Sequence, residues 1–173
     1  MKKVLFLGLG YIGLPTAAVA ATHGYQVIGV DVNPVVVDTI NQGRIHIVEP
    51  DLAKVVKEAV CNGALRATTK PEQADAFFVV VPTPFKQNHR ADITYVESAT
   101  VIPFLKEGDL FVIESTSPVF TTERMAEVIY KERPELKDKL YIAYCPERVL
   151  PGNTLYELVH NDRVIGGINP EST

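Results

Sequence analysis

The hexapeptide Gly8-Leu9-Gly10-Tyr11-Ile12-Gly13 and an acid further on, Asp31, carry the first recognisable chemistry in this 173-residue sequence. The glycines have G-x-G-x-x-G spacing and stand between a short apolar run at residues 4–7 and a helical pattern. Gly8 suits a tight turn, Gly10 lets the backbone approach a pyrophosphate, and Gly13 lets the helix lie close on the strand. Unpaired amides at the helix start supply a positive end for phosphate. Asp31 lies 18 residues beyond Gly13, at the end of the next predicted strand. There it can accept hydrogen bonds from both ribose hydroxyls, and its charge repels a 2′-phosphate, so NAD is favoured over NADP. FAD is the alternative dinucleotide, although flavoproteins often carry Glu at the acidic position and have much longer chains.

Three more residues stand where a sheet would offer them to a ligand. Thr83 lies in Val81-Pro82-Thr83-Pro84, Thr116 in Glu114-Ser115-Thr116-Ser117-Pro118, and Glu147 in Cys145-Pro146-Glu147-Arg148. Taken singly they read as a turn residue, a helix cap and a solvated charge. All three follow predicted strands, and a doubly wound sheet holds its ligand across the carboxyl ends of its strands.

The elements that must position these residues alternate along the chain. Strands are expected at residues 4–7, 26–30, 65–69, 77–81, 110–113 and 141–144, with one more short strand at Val164 and Ile165. Helices are expected at 11–23, 35–42 and 51–62, closed by Gly24, Gly43 and Gly63. Another should begin at Thr94 in a capping-box pattern and break near Pro103, after a polar loop at 87–92. A last one, capped by Thr121 or Thr122, should run to about Lys131. This order predicts an α/β Rossmann fold, a doubly wound parallel sheet ordered 3-2-1-4-5-6 with helices on both faces.

Composition closes off other classes. Seventeen basic against 21 acidic residues give a net charge of −4, which offers no overall positive field for nucleic acid or an anionic membrane. The stretch from Val4 to Val30 carries no charge and Ala18-Val19-Ala20 resembles a signal-peptidase site, but Gly8, Gly10, Gly13 and Pro15 break it as a membrane helix. Cys61 and Cys145 are too few for a disulfide framework and lack zinc spacing, which fits a reducing, cytoplasmic setting. His23, His46, His89 and His160 are scattered, so no metal site is expected.

Together with Ile45-His46-Ile47-Val48-Glu49-Pro50-Asp51-Leu52, the segment Tyr144-Cys145-Pro146-Glu147-Arg148-Val149-Leu150-Pro151-Gly152 and Asn161-Asp162-Arg163-Val164-Ile165-Gly166-Gly167, these motifs make the chain resemble the UDP-glucose/GDP-mannose dehydrogenase family. The likeness is greatest to its members acting on UDP-N-acetyl-D-mannosamine, and it covers nearly the whole chain. It implies oxidation of a sugar C6 alcohol, through an aldehyde-level thioester, to the uronic acid, with two NAD consumed. Carried over, it implies that Tyr11, Ile12, Asp31, Thr83 and Thr122 contact NAD. Thr116 and Glu147 would face the nicotinamide and sugar as catalytic residues, and Arg148 and Val149 would touch the UDP-sugar substrate. A carboxylate such as Glu147 can handle the proton or the hydrolytic water beside a hydride transfer.

The resemblance also implies what residues 1–173 do not hold. The family's catalytic cysteine, its assisting lysine and asparagine, and a helix that carries a homodimer interface lie in a central domain followed by a UDP-binding domain. The chain is therefore expected to be a single NAD-binding domain, inactive alone. Cys61 is expected to be buried on its helix, and Cys145 is not at the thioester position. Phe120 departs from the family's usual glycine, and its ring would either crowd the nicotinamide side or turn outward. Other readings are a non-catalytic NAD-binding module, a truncated gene product, or a UDP-glucose or UDP-N-acetylglucosamine 6-dehydrogenase. The 6-phosphogluconate and hydroxyacid dehydrogenases lack the Pro-Glu-Arg segment, and Glu147-Arg148 argues against them.

Overall fold

The computed structural model of the protein describes residues 2–84, 92–97 and 100–173. Its strands are β1 (Lys3–Leu7), β2 (Gln26–Val30), β3 (Leu65–Thr68), β4 (Ala76–Val79), β5 (Leu110–Ile113), β6 (Tyr141–Tyr144) and β7 (Gly166–Gly167). The helices are α1 (Gly13–Thr22), α2 (Pro34–Asn41), α3 (Leu52–Cys61), α4 (Thr94–Glu97), α5 (Thr121–Glu132) and α6 (Thr154–His160).

One sheet contains all seven strands in the order β3-β2-β1-β4-β5-β6-β7. The first six are parallel, as their short continuous apolar runs require when both sheet faces are covered. Along β1, Val4 and Phe6 enter a core against α1, α2 and α3. Leu5 and Leu7 enter the opposite core against Val96 of α4 and Met125 and Ile129 of α5. Each large side chain buried in this way stabilises the fold by about 1.5–3 kcal/mol relative to exposure.

Register then fixes the working edge. Leu7 pairs with both Val30 and Val79, Val79 with Ile113, and Ile113 with Tyr144. The next residue of each strand or loop, Gly8, Asp31, Glu114 and Cys145, therefore emerges at the same level. Because β1 is flanked by β2 on one side and β4 on the other, the chain winds away in both directions and leaves a crevice between them.

Several expectations need correction. The last strand is Gly166–Gly167, antiparallel to β6, and not Val164 and Ile165, which are exposed. The β-branched pair has the propensity, but the position beside Ser172 has no room for a side chain: a Cβ on Gly167 would stand 2.5 Å from the Ser172 carbonyl carbon. Helix α6 was not anticipated, although Thr154-Leu155-Tyr156-Glu157 carries a start signal. Neither threonine caps α5. The residue before the helix is Phe120, and the Thr121 hydroxyl donates to the Pro118 carbonyl at 2.8 Å. Cys61 is exposed because it closes α3, whose inward face is Leu52, Val56 and Ala59. At α4 the chain begins helix where expected, with Asp92 accepting from the Thr94 amide at 3.0 Å. Pro103 then sits in a separate 3₁₀ turn, Ile102–Phe104. Most of the expected polar loop, with His89, lies outside the described residues.

Candidate dinucleotide and sugar site

The three fingerprint glycines have different jobs. A Cβ on Gly8 would stand 2.3 Å from the Val80 carbonyl oxygen, and one on Gly13 would stand 1.9 Å from the Gly8 carbonyl oxygen. Both positions are closed by the protein's own packing. At Gly10 a Cβ would meet nothing within 4 Å. The fold leaves that space open to a ligand.

That space opens into a crevice of about 280 Å³ lined by Gly8, Gly10, Tyr11, Ile12, Asp31, Thr116 and Glu147, together with Glu114 and the residues just after β4. Helix α1 begins beside it with no side-chain cap and no acid in its first turn. The Leu14 and Thr16 amides already donate to the Gly10 and Ile12 carbonyls and Pro15 has no N–H, so the amides left for a ligand at this positive end are those of the loop, Tyr11 and Ile12, to which the described residues offer no acceptor. Asp31 is already oriented. One carboxylate oxygen accepts from the Leu9 amide at 3.1 Å and the other from the Asn33 amide at 2.9 Å. Each oxygen retains a lone pair for a further donor. These residues fit a dinucleotide: open space over Gly10 for the pyrophosphate, amides behind it, and a fixed acid for a ribose.

At the far side, β4 and β5 are stitched together beyond their ladder. The Ser115 hydroxyl bonds the carbonyls of Val79 and Val81, and the Thr83 hydroxyl donates to the Thr116 carbonyl at 2.7 Å. Thr83 thus braces the loop that carries Thr116 but lies outside the crevice lining, as do Thr122, Arg148 and Val149. Gly13 is buried beneath the loop and acts through packing. The Glu147 carboxylate accepts from the Val149 amide at 2.9 Å, which fixes its direction.

Phe120 takes a left-handed backbone conformation, φ 70°, with its ring 73% exposed. The ring turns outward and does not crowd the crevice, while the backbone carries a strain of about 1 kcal/mol or more. Cys145 is buried at the end of β6.

Sequence reasoning missed two carboxylates. Glu114 is wholly buried at the crevice, with one oxygen paired to Arg163 and the other without a partner among the described residues. Burial pushes its carboxyl above the ordinary value of 4.5; Arg163 pulls the other way, and Glu147 adds to the rise. Glu49, from the turn between α2 and α3, is also buried and reaches the segment after Glu147. Both sat inside motifs quoted for the resemblance, but their partners are 49 and more than 100 residues away.

Among the described residues no group of three or more His, Cys, Asp and Glu side chains could hold a metal ion, and no helix is long and apolar enough to cross a membrane. A larger groove of about 1220 Å³ lies between α1 and α6, lined by Phe6, Phe78 and Leu158. It is mainly apolar and lacks the glycine loop and Asp31.

Known proteins resemble this chain over nearly its whole length. The profile of the UDP-glucose/GDP-mannose dehydrogenase family, NAD binding domain, matches residues 2–173. The chain is 59% identical to the UDP-N-acetyl-D-mannosamine dehydrogenase of Escherichia coli (strain K12), over 95% of this chain and 41% of that protein. It is 54% identical to the NDP-N-acetyl-D-galactosaminuronic acid dehydrogenase of Ralstonia nicotianae, over 98% and 43%. The UDP-N-acetyl-mannosamine dehydrogenase Cap5O from Staphylococcus aureus superposes with a TM-score of 0.94 at 40% identity, over 98% of this chain and 43% of that one. The chain therefore spans about two fifths of the length of the curated relatives it matches.

Proposed function

The chain belongs to the UDP-glucose/GDP-mannose dehydrogenase family as its NAD-binding domain, and from that premise we propose that it serves the oxidation of the C6 alcohol of UDP-N-acetyl-D-mannosamine to the uronic acid, with two NAD consumed. The observation that carries this reading is the open position over Gly10, with the fixed Asp31 at one end of the crevice and Glu147 at the other. The relatives' names support an N-acetylated sugar as substrate.

In this proposal the amides of Tyr11 and Ile12 receive the pyrophosphate and Asp31 binds the adenosine ribose. Thr83 and Thr122 would extend the cofactor contacts beyond the crevice lining. Bound NAD supplies the hydride acceptor. Thr116 and Glu147 face the reacting carbon, and Glu147 holds or passes the proton released from the alcohol or from the hydrolytic water. Arg148 and Val149 contact the nucleotide-sugar, which fixes the sugar carbon against the nicotinamide. Neither cysteine of the chain is assigned as the thioester-forming nucleophile: Cys61 is exposed at the end of α3, and Cys145 is buried beside Arg163. Cytoplasmic operation in a homodimer belongs to the same proposal.

Calorimetric titration tests it. NAD should bind at one site, and NADP should bind at least about tenfold more weakly because its 2′-phosphate meets Asp31, a penalty of about 1.4 kcal/mol. With the dinucleotide site filled by NADH, UDP-N-acetyl-D-mannosamine should give a further binding isotherm in the whole protein. Equal affinity for NADP contradicts the Asp31 assignment. No response to the UDP-sugar contradicts the substrate assignment.

A further inference from the structure

We infer that Glu49 is a positioning residue for the nucleotide-sugar, holding from a distance the segment that carries Glu147, Arg148 and Val149. The inference rests on the proposed function for its ligand and on geometry for the rest.

Residues 145–153 run without helix or strand, so their backbone polar groups need partners from elsewhere. Side chains provide them. The Val149 amide donates to Glu147, the Leu150 amide to Glu157 at 2.8 Å, and the Arg148 carbonyl accepts from the Asn161 side chain at 2.8 Å. Those three partners belong to the same local stretch and would travel with it. Glu49 does not. Its two carboxylate oxygens accept from the amides of Gly152, at 3.0 Å, and Thr154, at 2.8 Å. These two bonds join the loop and the start of α6 to the other half of the chain.

Glu49 is itself well fixed. Ile47 and Leu52 are buried on either side of it, and Asp51 turns the chain sharply between them with φ 59°. The carboxylate is only 6% exposed. Burial pushes its pKa up, but the bonds from Gly152 and Thr154 outweigh that and hold it below 4.5, so it is charged at neutral pH. Charge-assisted bonds to two amides are stronger than neutral ones and offset the loss of water around the carboxylate. The run Ile45-His46-Ile47-Val48-Glu49-Pro50-Asp51-Leu52, which makes no contact with the crevice, thereby acquires a task.

The experiment compares Glu49→Ala and Glu49→Gln with the unaltered form of the whole protein in three readouts: amide hydrogen exchange, NAD affinity, and affinity for UDP-N-acetyl-D-mannosamine with NADH present. In Glu49→Ala, exchange at residues 147–154 should quicken at least about tenfold and UDP-sugar affinity should fall about tenfold or more, while NAD affinity stays within twofold. Glu49→Gln keeps one acceptor and should fall between. The inference is overturned if UDP-sugar affinity holds while the segment loosens, or if NAD affinity falls alongside it, which would mark general destabilisation. Should the unaltered protein bind no UDP-sugar, the substrate assignment fails first. Exchange then decides the rest: quickening confined to 147–154 upholds the positioning of the segment by Glu49, and its absence overturns it.

Discussion

Gly10→Ala is expected to leave the protein folded, at equal or slightly higher stability, and to lower NAD affinity about 100-fold. The two halves of that result have separate causes. Among the described residues no atom beyond its chain neighbours lies within 4 Å of the added Cβ, and Gly10 does not use a left-handed φ, so the native backbone accepts alanine. Glycine-to-alanine exchange at such a position reduces the freedom of the unfolded chain and contributes about 0.4–1 kcal/mol. The methyl group then stands in the space assigned to the pyrophosphate and pushes it off the Tyr11 and Ile12 amides. A 100-fold loss corresponds to about 2.7 kcal/mol, reasonable for weakened charge-assisted bonds to phosphate. Thermal denaturation and calorimetry on the same preparation read both quantities. Gly13→Ala is the contrast, because its Cβ would overlap the Gly8 carbonyl oxygen at 1.9 Å and the fold should fail together with binding. If Gly10→Ala binds NAD normally, the open space has another use and the cofactor pose is wrong.

Arg163→Met is expected to cost about 3–5 kcal/mol, because it leaves the buried Glu114 charge without its partner. In a domain of this size that corresponds to a fall in Tm of roughly 10 °C. The sign of its pH dependence follows from the direction of the Glu114 shift. Burial, with a smaller contribution from Glu147, raises the carboxyl above its ordinary 4.5 in spite of Arg163. The folded state therefore binds the extra proton. Stability associated with Glu114 is fully present below pH 4.5 and is lost as pH rises through the raised folded value. Without Arg163 the raised value climbs further, so the loss at neutral pH grows and acidification toward 4.5 should restore part of it. Adding Glu114→Gln to Arg163→Met removes the buried charge and should recover most of the stability at neutral pH. Denaturant titrations at several pH values test this. A single mutant as stable as the parent, or one that weakens further on acidification, contradicts the reading.

The parts of the structure legible in the sequence are those written in local pattern. The fingerprint follows β1 and opens α1, Asp31 ends β2, and the strand order through β6 follows from alternating strands and helices. Each of these depends on residues within about one element of each other. What escaped depends on contacts across the chain. Glu49 and Thr154 are 105 residues apart, and Glu114 and Arg163 are 49 apart, so nothing local distinguishes them from solvated acids. Val164 and Ile165 illustrate the opposite failure: their propensity is right for a strand, but Gly167 can pack against Ser172 beside β6. Phe120 shows a third kind. The departure from glycine was visible, but only the backbone could show that the ring turns outward and that strain is left behind.

The most direct test of the central claim is amide chemical-shift mapping during an NAD titration. Shifts should concentrate at residues 8–13, at Asp31 and its neighbour Asn33, and at Ser115 and Thr116, with α3 unmoved. Shifts confined instead to the groove between α1 and α6, around Phe6, Phe78 and Leu158, or no shifts at saturating NAD, would contradict the placement of the dinucleotide and the chemistry built on it.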